Sequence, residues 1–327
     1  MDSIRLGKTG LDVTPLGMGT LTMGFSQKNL TPEEGAGIIV HAVRSGIRFL
    51  DTAQYYDTYR YLRPALDLLR TDVDAGRLDV LPVIVSKTLE PDYAGARAAV
   101  LECLEALGLE QVDLFLLHEV RGEADYEART EAWRALQDCK EEGLVKSIGI
   151  STHHVDAVLR AAADPACDAV FALVNKAGLG IRCGEGPGTR EAMEDAIRRA
   201  SGAGLGVFTM KAFGGGNLVD DYTDCLDYVT ALPGVSSVMI GMGSTEEVDR
   251  AVEYFEHRLP SDYKPDTSHK RMMIDQSDCE GCGTCKARCA SGAIFWNENG
   301  LAEIDQTKCV RCGYCAPVCP VRAIIFL

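Results

Sequence analysis

The segment VIVSKTLEPDYAGARAAVLECLEALGLEQVDLFLLH, residues 83–118, decides the fold class of this chain. It predicts a short apolar strand over Val83–Ser86, an amphipathic helix over Tyr93–Leu107 and a second apolar strand over Leu114–His118. A strand, a helix and a strand of these lengths form the right-handed crossover that joins neighbouring strands of a parallel sheet. The same alternation continues on both sides of this segment.

Short apolar runs separated by longer amphipathic stretches predict eight strands in all. The other six are Pro15–Gly19, Arg48–Asp51, Ser147–Ile150, Ala169–Leu173, Val207–Met210 and Ser237–Ile240. Further helices are predicted over Glu33–Arg44, Tyr126–Glu142, Arg190–Ala200 and Glu246–Phe255. Eight strands, each followed by a helix, predict an α/β protein with a (β/α)8 TIM barrel. An open doubly wound sheet is the alternative, but the G-x-G-x-x-G motif typical of that fold does not follow the first strand. The leading segment Ile4–Val13 predicts a hairpin that closes the bottom of the barrel.

Composition excludes several classes of function. Hydrophobic residues make up 46% of the 327 residues and charged residues 25%, as in an ordinary globular protein. The net charge of −15 repels phosphate backbones and anionic lipid, so neither nucleic acid nor a membrane is expected as the main partner. No apolar run reaches the roughly 20 residues of a membrane span, and the first residues do not resemble a secretory signal. We therefore expect a cytoplasmic protein.

Eight of the 13 cysteines fall in two runs near the end of the chain. The first run, C-x-x-C-G-x-C-x-x-x-C over residues 279–289, returns over residues 309–319. Three thiolates at this spacing wrap around the irons of a cubane cluster, glycine lets the backbone approach the sulfides, and the fourth cysteine reaches the other cluster. Structural zinc is the alternative, but a tetrahedral zinc site gains nothing from the third closely spaced cysteine.

This doubled run resembles the bacterial two-cluster ferredoxin over residues 274–327. The resemblance implies a small α+β ferredoxin-like domain with two [4Fe–4S] clusters. One cluster is assigned to Cys279, Cys282, Cys285 and Cys319. The other is assigned to Cys309, Cys312, Cys315 and Cys289. Pro320 follows the last cysteine as the ferredoxin pattern requires, whereas Ala290 stands where the first run would have proline.

Polar side chains stand at the carboxyl ends of three neighbouring strands, where (β/α)8 barrels carry their chemistry. The second strand leads into Asp51 and, five residues later, Tyr56. The third strand ends at Lys87 and the fourth at His118. A strand-end aspartate is often only a helix cap, and a strand-end histidine is often only structural. A carboxylate, a phenol, an ammonium and an imidazole in this order nevertheless predict a catalytic site at one rim.

With LGKTGL (residues 6–11), LGMGT (16–20) and GLVKSIGIS (143–151), this pattern resembles the aldo-keto reductase superfamily over about residues 3–256. The resemblance implies hydride transfer between a nicotinamide and the carbonyl carbon of a small carbonyl or alcohol substrate. It makes Tyr56 the general acid/base and His118 the group that orients the carbonyl oxygen. Lys87 would lower the pKa of the tyrosine, and Asp51 would anchor the lysine. Tyr55 is the rival for the tyrosine role.

The part of the pattern that would bind NAD(P)H is less regular. The candidates are Ser151, Thr152, Asn175, Lys211, Gly214, Gly215, Gly241 and Ser244. The glycine run 214–216 and the helix that begins after Ser244, with Glu247 as a capping-box partner, suit phosphates. Phe171 and Met210 stand where the family has a carboxamide-binding glutamine and an aromatic ring. Because Gly243 replaces the arginine that holds a 2′-phosphate, NADH is predicted over NADPH.

These observations predict a barrel over residues 1–256, a linker over 257–273 and a ferredoxin domain over 274–327. The linker spans about 60 Å when fully extended, which is long enough to run from the bottom of the barrel to the active rim. We therefore expect the ferredoxin domain to lie over this rim, with one cluster facing it. His153 and His154 are further candidates to line the pocket. The predicted function is reduction of a carbonyl, or oxidation of an alcohol, with electrons relayed by two clusters. A redox partner protein and an oxygen-poor cytoplasm are part of this prediction. The alternatives are a flavin-containing or cluster-fed reductase that uses no nicotinamide, and a non-catalytic electron-transfer protein.

Overall fold

Eight parallel strands form a closed barrel in the computed structural model, which describes residues 1–268 and 270–327. Only His269, in the predicted linker, lies outside the described residues. The strands are β1 (Leu16–Gly19), β2 (Phe49–Asp51), β3 (Val83–Thr88), β4 (Val112–Leu117), β5 (Val145–Thr152), β6 (Ala169–Leu173), β7 (Gly206–Met210) and β8 (Val235–Gly241). Each strand pairs in parallel with the next, and β8 pairs with β1. The predicted (β/α)8 barrel is therefore confirmed.

Helices surround the barrel on the outside. They are α1 (Pro32–Arg44), α2 (Tyr59–Asp74), α3 (Tyr93–Leu107), α4 (Glu123–Ala128), α5 (Thr130–Glu141), α6 (Val155–Ala162), α7 (Arg190–Gly202), α8 (Tyr222–Thr230) and α9 (Thr245–Phe255). The helix predicted over Tyr126–Glu142 is two helices, with Arg129 at the break. The guanidinium of Arg129 donates to the carbonyls of Thr88 and His118 at 3.0 and 2.9 Å, so the break lets one side chain tie α4 and α5 to the ends of β3 and β4.

The bottom of the barrel is closed by the predicted N-terminal hairpin. Ile4–Arg5 pairs antiparallel with Asp12–Val13, and Leu6 is buried against the barrel interior. Gly7 has a φ of +49°, and a Cβ there would lie 2.2 Å from the backbone nitrogen of Gly206. Only glycine therefore allows the hairpin to pass this close beneath β7.

The cysteine-rich module is a small fold of two hairpin-like sheets and one short helix. Its elements are β9 (Met272–Ile274), α10 (Thr284–Arg288), β10 (Ile294–Trp296), β11 (Ala302–Ile304) and β12 (Ile324–Phe326). β9 pairs antiparallel with β12, and β10 with β11, so the first and last strands of the module lie side by side. β9 begins at Met272, inside the segment predicted as linker.

The module lies over the rim where the barrel strands end. The ammonium of Lys211, directly after β7, is 2.8 Å from the carboxylate of Asp278. The amide of Phe326 in β12 donates to the carbonyl of Gly215 at 2.9 Å, so β12 also contacts the loop that follows β7. Among the described residues, no helix has both the length and the apolar character needed to cross a bilayer.

Candidate active site

Asp51 and Lys87 form a buried ion pair at the rim. Asp51 ends β2 and is 4% exposed, while Lys87 lies in the neighbouring β3 and is fully buried. The Lys87 ammonium contacts the Asp51 carboxylate and donates to the carbonyl of Thr52 at 2.7 Å. Burial raises the pKa of Asp51 and lowers that of Lys87, and the contact between the two charges opposes both shifts.

Tyr56 and His118 lie beside this pair. Tyr56 ends a short 3-10 helix after β2, and its Oη is 3.3 Å from Nε2 of His118, which follows β4. The Lys87 ammonium lies 4.7 Å from the centre of the Tyr56 ring. Tyr55 is 44% exposed and packs edge-on against Phe25 instead. The structure thus brings together the four predicted catalytic side chains, Asp51 included, and leaves the rival tyrosine outside.

The surroundings keep the phenol of Tyr56 protonated. Burial raises its pKa well above the usual value, and the carboxylates of Asp51 and Asp278 raise it further. This shift of the pKa is the opposite of the lowering expected from Lys87, because burial of the phenol and the nearby carboxylates dominate. A protonated phenol is a proton donor, which suits the reductive direction.

His118 is neutral in this environment. Burial lowers its pKa well below the usual value, and the charges of Lys87 and Arg129 lower it further. Its Nδ1 is buried and has no hydrogen-bond partner among residues 1–268 and 270–327. With Nε2 directed at Tyr56, the imidazole is available to orient an oxygen that approaches the phenol.

Three of the predicted cofactor-binding residues hold loops in place. The hydroxyl of Ser151 accepts from the amide of Glu119 at 2.9 Å. The hydroxyl of Thr152 donates to a backbone carbonyl at 2.6 Å. Both ends of the Asn175 amide bond to the backbone of Leu179 at 2.9 Å. The Thr152 hydroxyl and the Asn175 amide thus bond to the barrel both as donor and as acceptor, whereas the bond given for Ser151 uses its hydroxyl only as an acceptor.

Ser244 caps a helix as predicted. Its hydroxyl accepts from the amide of Glu247 at 3.2 Å, at the start of α9. The carboxylate of Glu247 bonds to the amide of Gly243 at 2.7 Å, one residue before the position that a capping box would use. Gly241 is crowded, because a Cβ there would lie 2.3 Å from the hydroxyl of Thr22.

A cavity of about 220 Å³ lies between the rim and the module. His153 and His154, which the sequence singled out, line it together with Glu119 and Arg121. Burial, followed by the charge of Lys211, lowers the pKa of His153 to about 3, so this imidazole is neutral. The sequence pattern did not indicate the glutamate or the arginine, although they stand one and three residues after the strand-end histidine, His118.

A second cavity lies inside the module. Its lining includes all four cysteines of the first predicted set, Cys279, Cys282, Cys285 and Cys319. Burial raises the pKa of Cys285, and the neighbouring Cys319 thiol raises it further, which shows that the crossover cysteine lies close to the others. Glu280 and Val321 line this cavity and the rim cavity as well.

The remaining cysteines of the module also come together. Burial raises the pKa of Cys315 to about 11, and the nearby thiols of Cys289, Cys285 and Cys312 raise it further. Cys309 packs in the same apolar cluster as Cys289 and Cys315. In the part of the chain that the structure describes, no three ligand side chains converge closely enough for a single metal ion. The four thiols of the first set line one cavity, as the four ligands of a cubane cluster would.

Comparisons with known proteins agree with both parts of the chain. A family model for the aldo/keto reductase family matches residues 15–224, and one for a 4Fe-4S binding domain matches residues 302–325. The aldo-keto reductase resemblance and the presence of a 4Fe-4S binding domain at the C-terminal end are confirmed by these matches, of which the second covers the cysteine run 309–319.

Individual relatives are distant. An uncharacterised oxidoreductase of Saccharomyces cerevisiae is 31% identical over 158 residues, covering 46% of this chain and 52% of its own length. D-threo-aldose 1-dehydrogenase of a Pseudomonas species is 28% identical over 188 residues, covering 50% and 57%. The chain thus spans about half the length of these curated relatives.

Among solved structures, a putative aldo-keto reductase of Pseudomonas aeruginosa has a TM-score of 0.64 and 26% identity. The match covers 79% of this chain and 95% of that one. Since the first family model spans well over half of the residues, the chain belongs to the aldo/keto reductase family and carries a 4Fe-4S binding domain at its C-terminal end.

Proposed function

We propose that this protein reduces the carbonyl group of a small molecule at the barrel rim, or oxidises the corresponding alcohol, with electrons relayed by two [4Fe–4S] clusters. The observation that supports this most directly is that Glu280 and Val321 line both the four-cysteine cavity and the rim cavity. A group held by those cysteines would therefore lie beside the rim cavity. The cytoplasmic location and the oxygen-poor setting stay predictions.

The side chains at the rim supply protons and orientation. Reduction of a carbonyl takes two electrons and two protons and gives an alcohol. When bound, the clusters supply electrons one at a time. Tyr56 donates one proton to the carbonyl oxygen, and the neutral His118 holds that oxygen through Nε2. The second proton, which goes to the carbon, also passes through Tyr56 after the phenolate has taken up a proton from solvent. Lys87, fixed by Asp51, stabilises the negative charge that remains on the phenolate.

A single-turnover measurement tests the proposed reaction. Protein loaded with iron is reduced with dithionite under argon and mixed with aldehydes, ketones and 2-keto acids, while the absorbance near 400 nm is followed. We expect at least one carbonyl class to restore the absorbance of the oxidised clusters and to yield its alcohol. If no carbonyl compound does so and no alcohol reduces the clusters, the proposed function is wrong. Acid release of a flavin would favour the flavin alternative.

Iron analysis tests the two predicted ligand sets. Cys319→Ser and Cys289→Ser each remove one crossover ligand, and each is expected to lower the iron content from about eight to about four per chain. Cys183→Ser is the control, since this exposed cysteine lies outside the module, and should leave the iron unchanged. If both crossover variants keep all their iron, the assignment of the two sets is wrong.

The second set of cysteines lies near an exposed apolar and basic surface. Val310 is 69% exposed and Tyr314 is 62% exposed, and the Arg288 guanidinium is 5.9 Å from the tyrosine ring. Lys308 and Arg311, which stand close to Val310 and Tyr314 in the sequence, are also exposed. On a chain with a net charge of −15, such a surface suits an acidic one-electron carrier protein as the redox partner.

Charge reversal tests this docking surface. Arg288→Glu is expected to slow cluster reduction by an acidic ferredoxin about tenfold at low salt and to weaken the salt dependence, because steering by opposite charge is lost. Arg198→Glu, an exposed change on the barrel helix α7, is the matched control. Equal rates for the two variants in stopped-flow mixing would contradict the proposed surface.

A further inference from the structure

We propose that the C-terminal strand β12 fills the place where the family resemblance puts the phosphates of a nicotinamide nucleotide, and that this chain therefore binds neither NADH nor NADPH. The proposed function does not depend on a nicotinamide nucleotide, so the exclusion of this hydride donor from the barrel goes beyond it. It stands on contacts at three places along the site that the nucleotide would occupy.

The first place is the glycine run after β7. The amide of Phe326 donates to the carbonyl of Gly215 at 2.9 Å, in the manner of a strand added to the loop. A Cβ on Gly216 would lie 2.2 Å from the carbonyl oxygen of Phe326. The two backbones are thus in direct contact, and the glycines admit a strand of the module where they were predicted to wrap a pyrophosphate.

Side chains on both sides secure this contact. Arg322, only 2% exposed, donates to the carbonyl of Gly214 at 3.0 Å. Asn217 donates to the carbonyl of Ile324 at 2.8 Å. Lys211, which directly follows β7, is paired with Asp278 of the module. The carbonyls of Gly214 and Gly215, the Asn217 side chain and the charge of Lys211 are therefore committed to the module.

The second place is the N-terminus of α9. The carboxylate of Glu247 bonds to the amide of Gly243 at 2.7 Å, as an incoming phosphate oxygen would. The ammonium groups of Lys28 and Lys270 each lie 3.6 Å from the same carboxylate. A phosphate would have to displace a side chain of its own sign from these partners.

The third place is the position of the nicotinamide ring. Phe171 is buried and stacks on Phe208 with ring centres 4.4 Å apart, so an apolar ring replaces the group that would bond a carboxamide. Asn175 has both ends of its amide bonded to Leu179. The residues around the expected nicotinamide position therefore do not fit the ring and its carboxamide, just as those at the other two places do not fit the phosphates.

Direct binding is the decisive test. Full-length, iron-loaded protein is titrated with NADH and with NADPH up to about 1 mM by calorimetry under argon. We expect no saturable heat with either nucleotide. Saturable binding of one of them with a Kd below about 1 mM overturns the inference. Nucleotide binding would contradict this inference without contradicting the proposed carbonyl reduction. Failure of the carbonyl test would contradict the proposed function without changing the nucleotide titration, so the two failures can be told apart.

Hydrogen exchange gives an independent readout of the docked strand. In the wild-type protein the amide of Phe326 should be protected, and addition of 1 mM nucleotide should not change its exchange rate. Gly216→Ala should raise that rate at least tenfold, because the new methyl group collides with β12. Gly76→Ala is the matched control, since Gly76 also has a positive φ of +67° but no atom lies within 4 Å of the added Cβ. An unprotected Phe326 amide, or equal exchange in the two variants, overturns the inference.

Discussion

Replacement of Tyr56 by phenylalanine is expected to slow carbonyl reduction by about 10²–10⁴-fold, while the clusters are still reduced at the wild-type rate. The change removes only the phenolic oxygen, which lies 3.3 Å from Nε2 of His118. The ring, with the Lys87 ammonium 4.7 Å from its centre, remains in place, so little change in the fold is expected. Stopped-flow reoxidation of dithionite-reduced protein by the substrate measures the effect.

Tyr55→Phe serves as the control for this change, because its exposed ring lies outside the cluster of four side chains. Its rate should stay within about twofold of the wild type. The pKa of Tyr56 is raised, so the phenol stays protonated as the pH rises through neutrality, and the reductive rate should not fall there through its ionisation. If Tyr56→Phe keeps a tenth or more of the wild-type rate, this tyrosine is not the proton donor.

Asp51→Asn should have the largest effect on stability. The change leaves the fully buried ammonium of Lys87 without its carboxylate, and breaking a buried ion pair in this way costs about 3–5 kcal/mol. For a barrel of this size, that corresponds to a fall of roughly 10 °C in Tm, measured by circular dichroism. The double variant with Lys87→Met should regain part of the loss, because no unpaired charge remains buried.

Asp195→Asn is the matched control, since its partners Arg198 and Arg199 are largely exposed. Exposed ion pairs contribute about 0–1 kcal/mol, and the free energy of unfolding should change little. Similar losses for the changes at Asp51 and Asp195 would contradict the view that the buried pair supports the rim.

The barrel was predictable because its signal is periodic and repeated. The segment 83–118 carries a strand, a helix and a strand whose apolar positions follow the periods of two and of about 3.6 residues. The break between α4 and α5 was not predictable, since it depends on Arg129 reaching carbonyls at the ends of two other strands. Contacts between distant elements leave no periodic trace in the sequence.

The same distinction applies to the site. The approach of Asp51, Lys87 and His118 follows from the rule that parallel strands end at one rim. The glycine run 214–216 indicates that some backbone or ligand comes close, but glycines do not specify which one. That β12 makes the approach depends on how the module docks, and this is decided by side chains such as Arg322.

The two residues shared by the cavities connect maturation of the protein with the shape of its pocket. Glu280 follows Cys279 and Val321 lies two residues after Cys319, so both stand beside cysteines that come from opposite ends of the module. Because metal binding and folding are coupled when ligands from distant segments meet at one site, we expect insertion of iron to fix the position of these two wall residues as well. A newly made chain that has not yet received its iron should therefore neither leak electrons nor capture substrate.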